Sequence, residues 1–487
     1  MTMGGHHGAS PLFVILGGTG DLSRRKLFPA LSSLMRQGLI DESSLLLGVA
    51  RDTEHNDESF RALIGEALLS RGLSPDDVGR WCEACLRYQT IGKGTAEDFR
   101  ALASRIEALE HEHQLSGNRV LYLALPPGAY PGTITGLGEA GLNRSPGWTR
   151  LVIEKPFGSD LTSARDLHQL VHSYFEESDI YRLDHYLGKE TVQNLLVFRF
   201  SNPIFESLWN RDRVQSIQIT VAEELGIEQR ASYYEQAGAI RDMVQNHLTQ
   251  LVTLVGMEVP STFSAAAVRY EKTKVLRSIA PVLSHDVVFG QYARGTINGR
   301  EVPGYLEEPG VAPDSRTETF VAMKLEVDTW RWQGVPFYIR TGKRFPQRLT
   351  QIAVTFRRPP VYMFDSLGFC PITSNVLLLS LQPDEGFSLF FDVKKPGEPF
   401  MVETVPLTFR YGETFGSLPD AYETLLLDVL TGDQTLFVHA DEVEGSWQLY
   451  TPILEKGLDL HPYQAGTWGP EAADRLLHQH GHTWYTR

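Results

Sequence analysis

The first part of the chain alternates short uninterrupted apolar runs with longer segments in which apolar residues recur every three or four positions. The runs Leu12–Leu16, Leu45–Val49, Val120–Leu125 and Leu151–Ile153 are strand-sized and lack polar alternation, the pattern of strands buried on both faces. Between them, Leu22–Met35, Glu58–Leu69, Glu97–Leu109 and Ala164–Tyr174 carry the helical period. Strand–helix alternation at this spacing predicts an α/β Rossmann-like dinucleotide-binding domain: a parallel sheet with helices on both faces.

After about residue 185 the pattern changes. Ser216–Val221, Val321–Val327, Phe337–Ile339, Ile352–Phe356, Val376–Leu381 and Phe387–Val393 follow one another with turns between them. Helical stretches remain at Ala239–Val255, Ala265–Ala280 and Tyr422–Leu430. This predicts a larger α+β domain built on a mainly antiparallel sheet. The expected division is residues 1–185, binding the dinucleotide, and 186–487, binding the substrate and forming a dimer contact.

Composition narrows the picture. A chain of 487 residues favours two domains, and 42% hydrophobic with 22% charged residues is the profile of a globular protein. No apolar run is long enough to cross a bilayer, so no membrane partner is expected. The segment Met1–Ser10 has no basic region and leads into a glycine loop rather than a cleavage site, which argues against a secretory leader. Three cysteines cannot build a disulfide framework, and a reducing, cytoplasmic location is expected. Cys82 and Cys85 form a lone C-x-x-C without a second ligand pair, read as two half-buried thiols near a helix end. The net charge of −15 excludes nucleic acid as a partner. It also means that anion handling must rest on local clusters of Lys, Arg and His.

The run Leu12–Leu16 enters Gly17-Gly18-Thr19-Gly20-Asp21-Leu22 and then a helix. Glycines allow a tight turn and close backbone approach to a pyrophosphate, and a helix start offers N–H groups to it. The full G-x-G-x-x-G is absent; Ser23 follows Gly20 three residues later. The second strand ends in Arg51-Asp52. An arginine at that tip suits the 2′-phosphate of NADP, whereas a carboxylate suits the ribose of NAD. Both cofactors therefore stay open at this point, with Arg51 favouring NADP.

The densest polar run is Arg182-Leu183-Asp184-His185-Tyr186-Leu187-Gly188-Lys189-Glu190, between a strand-like and a helix-like segment. His185 and Tyr186 can donate hydrogen bonds to a phosphate and Lys189 supplies a point charge. Glu154-Lys155-Pro156-Phe157-Gly158 closes the strand-like run Leu151–Ile153, making Lys155 a candidate ligand. Ile240, Val244, His247 and Leu251 recur at helical spacing, so His247 lies on a buried face. A buried histidine beside a carboxylate is how a general base is built, but spacing does not reveal its partner.

These motifs together resemble the glucose-6-phosphate dehydrogenase family over nearly the whole chain. The resemblance rests on Gly17–Leu22, Glu154–Gly158, Arg182–Glu190, Gln245-Asn246-His247 and Arg340-Thr341-Gly342-Lys343. It implies that His247 takes the C1 hydroxyl proton and that Asp184 orients it. It implies that His185, Tyr186 and Lys189 hold the sugar phosphate, and that Lys155 meets both sugar and nicotinamide. Glu224, Glu235 and Lys343 would contact the sugar, and Gly17, Gly18, Thr19, Gly20, Asp21, Leu22 and Arg51 the dinucleotide. No metal is required, because the cofactor carries the electron chemistry. A homodimer or dimer of dimers is implied as well.

Two departures stand out. Glu235 replaces the family's aspartate, and an extra methylene shifts a carboxylate by about an ångström. Asp52 puts strict NADP use in doubt. The same fold using NAD, both cofactors or another hexose phosphate is the neighbouring reading. A catalytically silent sugar-phosphate-binding paralogue is the reading from a different class.

Overall fold

The computed structural model describes residues 10–361, 373–398, 400–416, 418–457 and 459–486. The two histidines of the N-terminal segment and Cys370 lie outside the described residues. The chain divides into two compact units, one of Met1–Lys189 with Pro419–Ala440, the other of Glu190–Leu418 with Asp441–Arg487.

The first unit holds six parallel strands: β1 (Leu12–Leu16), β2 (Leu45–Ala50), β3 (Leu86–Thr90), β4 (Arg119–Leu123), β5 (Thr149–Glu154) and β6 (Ile180–Leu183). Their order is β3-β2-β1-β4-β5-β6, so the connection reverses direction between β1 and β4. A crevice opens at such a switch point, at the carboxyl ends of the strands. All five residues of β1 are buried, as are those of β2 and β4, which is why these strands read as continuous apolar runs. Edge strand β3 has only Leu86 and Tyr88 buried, so its sequence shows no such run. It was not anticipated.

The boundary also differs from the expected one. Residues 419–440, expected in the second domain, belong to the first unit. Helix Ala421–Thr431 buries Tyr422, Leu425, Leu426 and Val429. These join Phe13, Leu46, Val120 and Tyr181 in one apolar cluster. Polar contacts fix the segment: Lys26 Nζ to Asp420 Oδ2 at 2.7 Å, Arg150 Nη1 to the Val429 and Leu430 carbonyls at 2.6 and 2.8 Å. Val438 N–H donates to the Arg182 carbonyl at 3.0 Å along the open edge of β6. Each buried large apolar side chain contributes about 1.5–3 kcal/mol, and the entropy of closing a long loop grows only logarithmically with its length. Hence an apolar helix face overrides sequence distance.

The second unit is built on β7 (Val214–Ala222), β8 (Val287–Ala293), β9 (Gly295–Ile297), β10 (Arg300–Val302), β11 (Phe320–Glu326), β12 (Pro336–Gly342), β13 (Leu349–Phe356), β14 (Val376–Gln382), β15 (Gly386–Lys395), β16 (Met401–Arg410) and β17 (Leu460–Gln464). Nine of them form a sheet in the order β16-β15-β14-β13-β7-β12-β11-β8-β17. It is antiparallel except for the β7–β12 and β8–β17 pairs, so the mainly antiparallel expectation holds within a mixed sheet.

Candidate active site

In the first unit, the glycine loop sits at the carboxyl end of β1. Gly17 has φ +93°, and a Cβ there would lie 2.1 Å from the Ala124 carbonyl oxygen, so only glycine fits. The N–H groups of Gly17 and Gly18 both donate to the Val49 carbonyl (2.7 and 3.0 Å), and that of Gly20 to Gly17 (2.9 Å). Ser23 Oγ closes the turn onto the Gly17 carbonyl at 2.9 Å. These amides shape the loop rather than facing outward. What the loop offers an anion is the first helical turn, where helix geometry leaves the leading N–H groups without an intrahelical partner. The chain continues as a π-helix, Ser23–Leu27, which the sequence pattern does not announce.

A cleft of about 500 Å³ runs along these strand ends, lined by Gly17, Thr19, Gly20, Arg51, Lys93 and Gly128 among others. Its size suits part of a dinucleotide. Arg51 and Lys93 are both exposed cations on its wall. Lys93 was missed in the sequence, where only its two flanking glycines mark a turn. Asp52 is turned elsewhere: Oδ1 accepts from the Glu54 N–H at 2.8 Å, and Oδ2 lies 3.5 Å from His55 Nε2.

The Arg182–Lys189 run ends β6 and forms a tight turn ahead of helix Glu190–Phe200. Asp184 is buried, and its Oδ1 accepts from the Tyr186 N–H at 2.9 Å. The His185 and Tyr186 rings pack edge to face at 5.0 Å, and Lys189 Nζ lies 3.8 Å from the Tyr186 ring centre. Thus His185, Tyr186 and Lys189 are brought together. Lys155 follows β5 directly, next to Glu154, whose carboxyl takes hydrogen bonds from Tyr122 and Tyr422. Desolvation pushes Glu154 up to about 7, opposed by those two phenols and by the Lys155 charge. The residue keeps partial solvent contact, which tempers that rise.

In the second unit, His247 is wholly buried. The α-helical spacing expected around it is replaced by a π-helix, Ile240–Leu248. Its wider turn shows in the Thr249 backbone N–H donating to the Val244 carbonyl, five residues back. Such turns concentrate at functional sites. The π-helix is launched by Gly238, with φ +61° and no room for a Cβ, which would lie 2.4 Å from Glu318 Oε1. Glu318 then caps the turn by accepting the Ile240 N–H at 3.2 Å.

Three other candidates lie in this unit. Glu224 Oε1 accepts from Asn298 Nδ2 at 2.8 Å. Lys343 is buried and ion-paired with Glu223 at 2.7 Å, 5.0 Å from the Tyr234 ring centre. Glu235 Oε1 accepts from the Tyr305 hydroxyl and from Ser315 Oγ at 2.7 Å. The added methylene is therefore accommodated by two hydroxyl donors that hold the carboxylate. The cysteines also differ from expectation: Cys82 and Cys85 are fully buried, and burial pushes each thiol up to about 11.

A glycine loop at the switch point of a parallel sheet, with a cleft carrying two cations beside it, is the arrangement of a dinucleotide-binding domain. Comparison with known proteins specifies which. Residues 14–194 match the glucose-6-phosphate dehydrogenase NAD binding domain, and residues 196–485 the C-terminal domain of the same enzymes. The chain is 45% identical over 481 residues to glucose-6-phosphate 1-dehydrogenase of Aggregatibacter actinomycetemcomitans, covering 97% of this chain and 96% of that one. It is 43% identical over 482 residues to glucose-6-phosphate 1-dehydrogenase 2 of Mycobacterium tuberculosis, covering 97% and 93%. A solved glucose-6-phosphate dehydrogenase in complex with its substrate glucose-6-phosphate superposes with a TM-score of 0.90 at 34% identity, covering 99% and 100%. The Mycobacterium avium enzyme gives 0.83 at 34%, covering 98% and 99%. The chain belongs to the glucose-6-phosphate dehydrogenase family.

Proposed function

We propose that this protein oxidises D-glucose 6-phosphate at C1 to 6-phosphoglucono-1,5-lactone with NADP as the hydride acceptor. The observation that carries the reading is the full-length likeness to a dehydrogenase solved with glucose-6-phosphate. It is supported by every polar residue that the family resemblance requires being present, Glu235 standing for an aspartate.

NADP, when bound, takes the hydride from C1. His247 accepts the C1 hydroxyl proton as the hydride leaves, and Asp184 supports the resulting imidazolium. His185, Tyr186 and Lys189 hold the phosphate, and Lys155 meets the substrate and the nicotinamide. Glu224, Glu235 and Lys343 bind sugar hydroxyls. The loop Gly17–Leu22 takes the pyrophosphate, chiefly through the helix start. Arg51, with Lys93, takes the 2′-phosphate; the cleft wall they form and the turned-away Asp52 support NADP over NAD. The working assembly is a homodimer or a dimer of dimers in a reducing cytoplasm, checked by light scattering.

The test is absorbance at 340 nm with glucose 6-phosphate and either cofactor, followed by a panel of hexose phosphates. No turnover with any pair would overturn the reading, and faster turnover with NAD would overturn its cofactor half.

A further inference from the structure

Three phenols from three separate elements converge on Glu154, the last residue of β5. The Tyr122 hydroxyl, from β4, donates to Glu154 Oε1 at 2.6 Å. The Tyr422 hydroxyl, from helix Ala421–Thr431, donates to the same oxygen at 3.2 Å. The Tyr130 hydroxyl donates to the Glu154 main-chain carbonyl at 2.8 Å. Both the side chain and the backbone of this residue are thereby fixed where the chain leaves the sheet toward Lys155. The charged groups acting on the carboxyl are Lys155, which favours its ionised form, and Asp184, which opposes it. Tyr122 and Tyr422 are themselves buried, and proximity to Glu154 helps hold both phenols protonated, so each remains a donor.

Packing alone does not require this chemistry. An apolar side chain at 154 flanked by phenylalanines would fill similar space without desolvating a carboxyl. What the carboxylate adds is, when ionised, a negative charge acting on Lys155, and a rigid seat for the backbone that carries it.

We propose that Glu154, seated by Tyr122 and Tyr422, is a positioning residue that holds Lys155 in place for catalysis. The inference rests on the reading of Lys155 as a ligand given above. It also accounts for the returning segment, because Tyr422 ties a distant stretch of chain to the strand end that presents Lys155. The ionised carboxylate is the active form. Positioning is therefore lost as pH falls and Glu154, whose pKa burial raises, takes up a proton.

The experiment measures kcat and KM for glucose 6-phosphate and NADP between pH 5.5 and 9 in the full-length wild type, E154Q, Y422F, K155A and E154Q/K155A. Expected for E154Q is a fall in kcat/KM of about 10- to 100-fold at pH 8, the loss on removing a charged hydrogen-bond acceptor. Its acid limb is expected to be less steep than that of the wild type, because one required ionisation is gone. Y422F, which removes one donor and little volume, is expected to lose about three- to tenfold. In the double variant E154Q adds no further loss, since both changes remove one function.

Wild-type kcat/KM in E154Q, an unchanged acid limb, or full additivity in the double variant would each overturn the proposal. Should E154Q not fold, Y422F and its double with K155A decide: wild-type kcat/KM in Y422F, or full additivity in that double variant, would overturn the proposal. Wild-type kinetics in K155A would sink the ligand reading instead. An impaired K155A beside an unaffected E154Q would sink this inference alone.

Discussion

Replacing Arg51 by alanine should cut use of NADP while leaving use of NAD nearly untouched. Arg51 follows β2 on the wall of the cleft beside the glycine loop, and Lys93 shares that wall. Both are exposed, so their attraction to a 2′-phosphate acts through a largely aqueous medium. Two unit charges 4 Å apart are worth about 1 kcal/mol in water and about 4 kcal/mol near a protein surface. With bidentate guanidinium geometry the Arg51 contact comes to about 1.5–3 kcal/mol. At about 1.4 kcal/mol per factor of ten, R51A should lower kcat/KM for NADP by about 10- to 100-fold. K93A, lacking the fork, should cost about 3- to 10-fold. NAD has no 2′-phosphate, so its kcat/KM should stay within about twofold. The assay is initial rate at saturating glucose 6-phosphate with each cofactor varied in turn, repeated at low and high salt. Screening should shrink the wild-type preference as salt rises. D52N serves as the control: its carboxylate is engaged by the Glu54 N–H and lies near His55, so the cofactor ratio should move less than about threefold. Equal losses with both cofactors in R51A would refute the assignment. So would a large gain for NADP in D52N, which would place that carboxylate against the ribose.

Other outcomes follow from the second unit and from the thiols. H247N should lower kcat by about 10²–10⁴-fold with a small change in KM, measured by initial rates; retained turnover would remove His247 as the base. G238A forces a Cβ to 2.4 Å from Glu318 Oε1 at positive φ. It should cost about 1–3 kcal/mol in unfolding free energy along with a fall in kcat, and wild-type values of both would show that the π-helix is not launched there. S315A removes one of two donors to Glu235, and KM for glucose 6-phosphate should rise about three- to tenfold with kcat little changed. In a C370S background at pH 8, Cys82 and Cys85 should react with a thiol reagent only as fast as the native protein opens, because burial has pushed both to about 11. Instant labelling of two thiols would contradict their burial.

The fold was most legible where burial is two-sided. β1, β2 and β4 are apolar throughout because parallel strands meet helices on both faces. The pattern failed at edges. β3 exposes alternate residues, and β16 has no fully buried residue, so neither yields a run of hydrophobes. It also failed where long-range partners decide. Arg119 opens β4 although charged, because Glu110 accepts from it at 2.6 and 2.7 Å. The π-helix around His247 has apolar spacing compatible with an ordinary helix; Gly238 and Glu318, the latter 78 residues from the Ile240 N–H it accepts, impose the wider turn. For the site, residue types and motif order supplied the candidates, and the structure supplied their surroundings. The local partners of those candidates, such as Tyr305 for Glu235 or Glu223 for Lys343, come from segments far away in sequence.

Those partners also answer the difficulty raised by a net charge of −15 in a protein proposed to bind two anions. Two candidate-site cations carry an acidic neighbour: Lys343 with Glu223 at 2.7 Å, and Lys155 beside Glu154. A neighbouring carboxylate holds a long, flexible cation in one geometry and so lowers the entropy lost when a ligand arrives. It also cancels most of the far field, so an arbitrary phosphate gains little from bulk attraction. Recognition then depends on replacing or sharing each carboxylate contact at short range. Only a ligand whose phosphate and hydroxyls fit the preset positions can do so. On this logic the acidic surroundings sharpen discrimination among sugar phosphates.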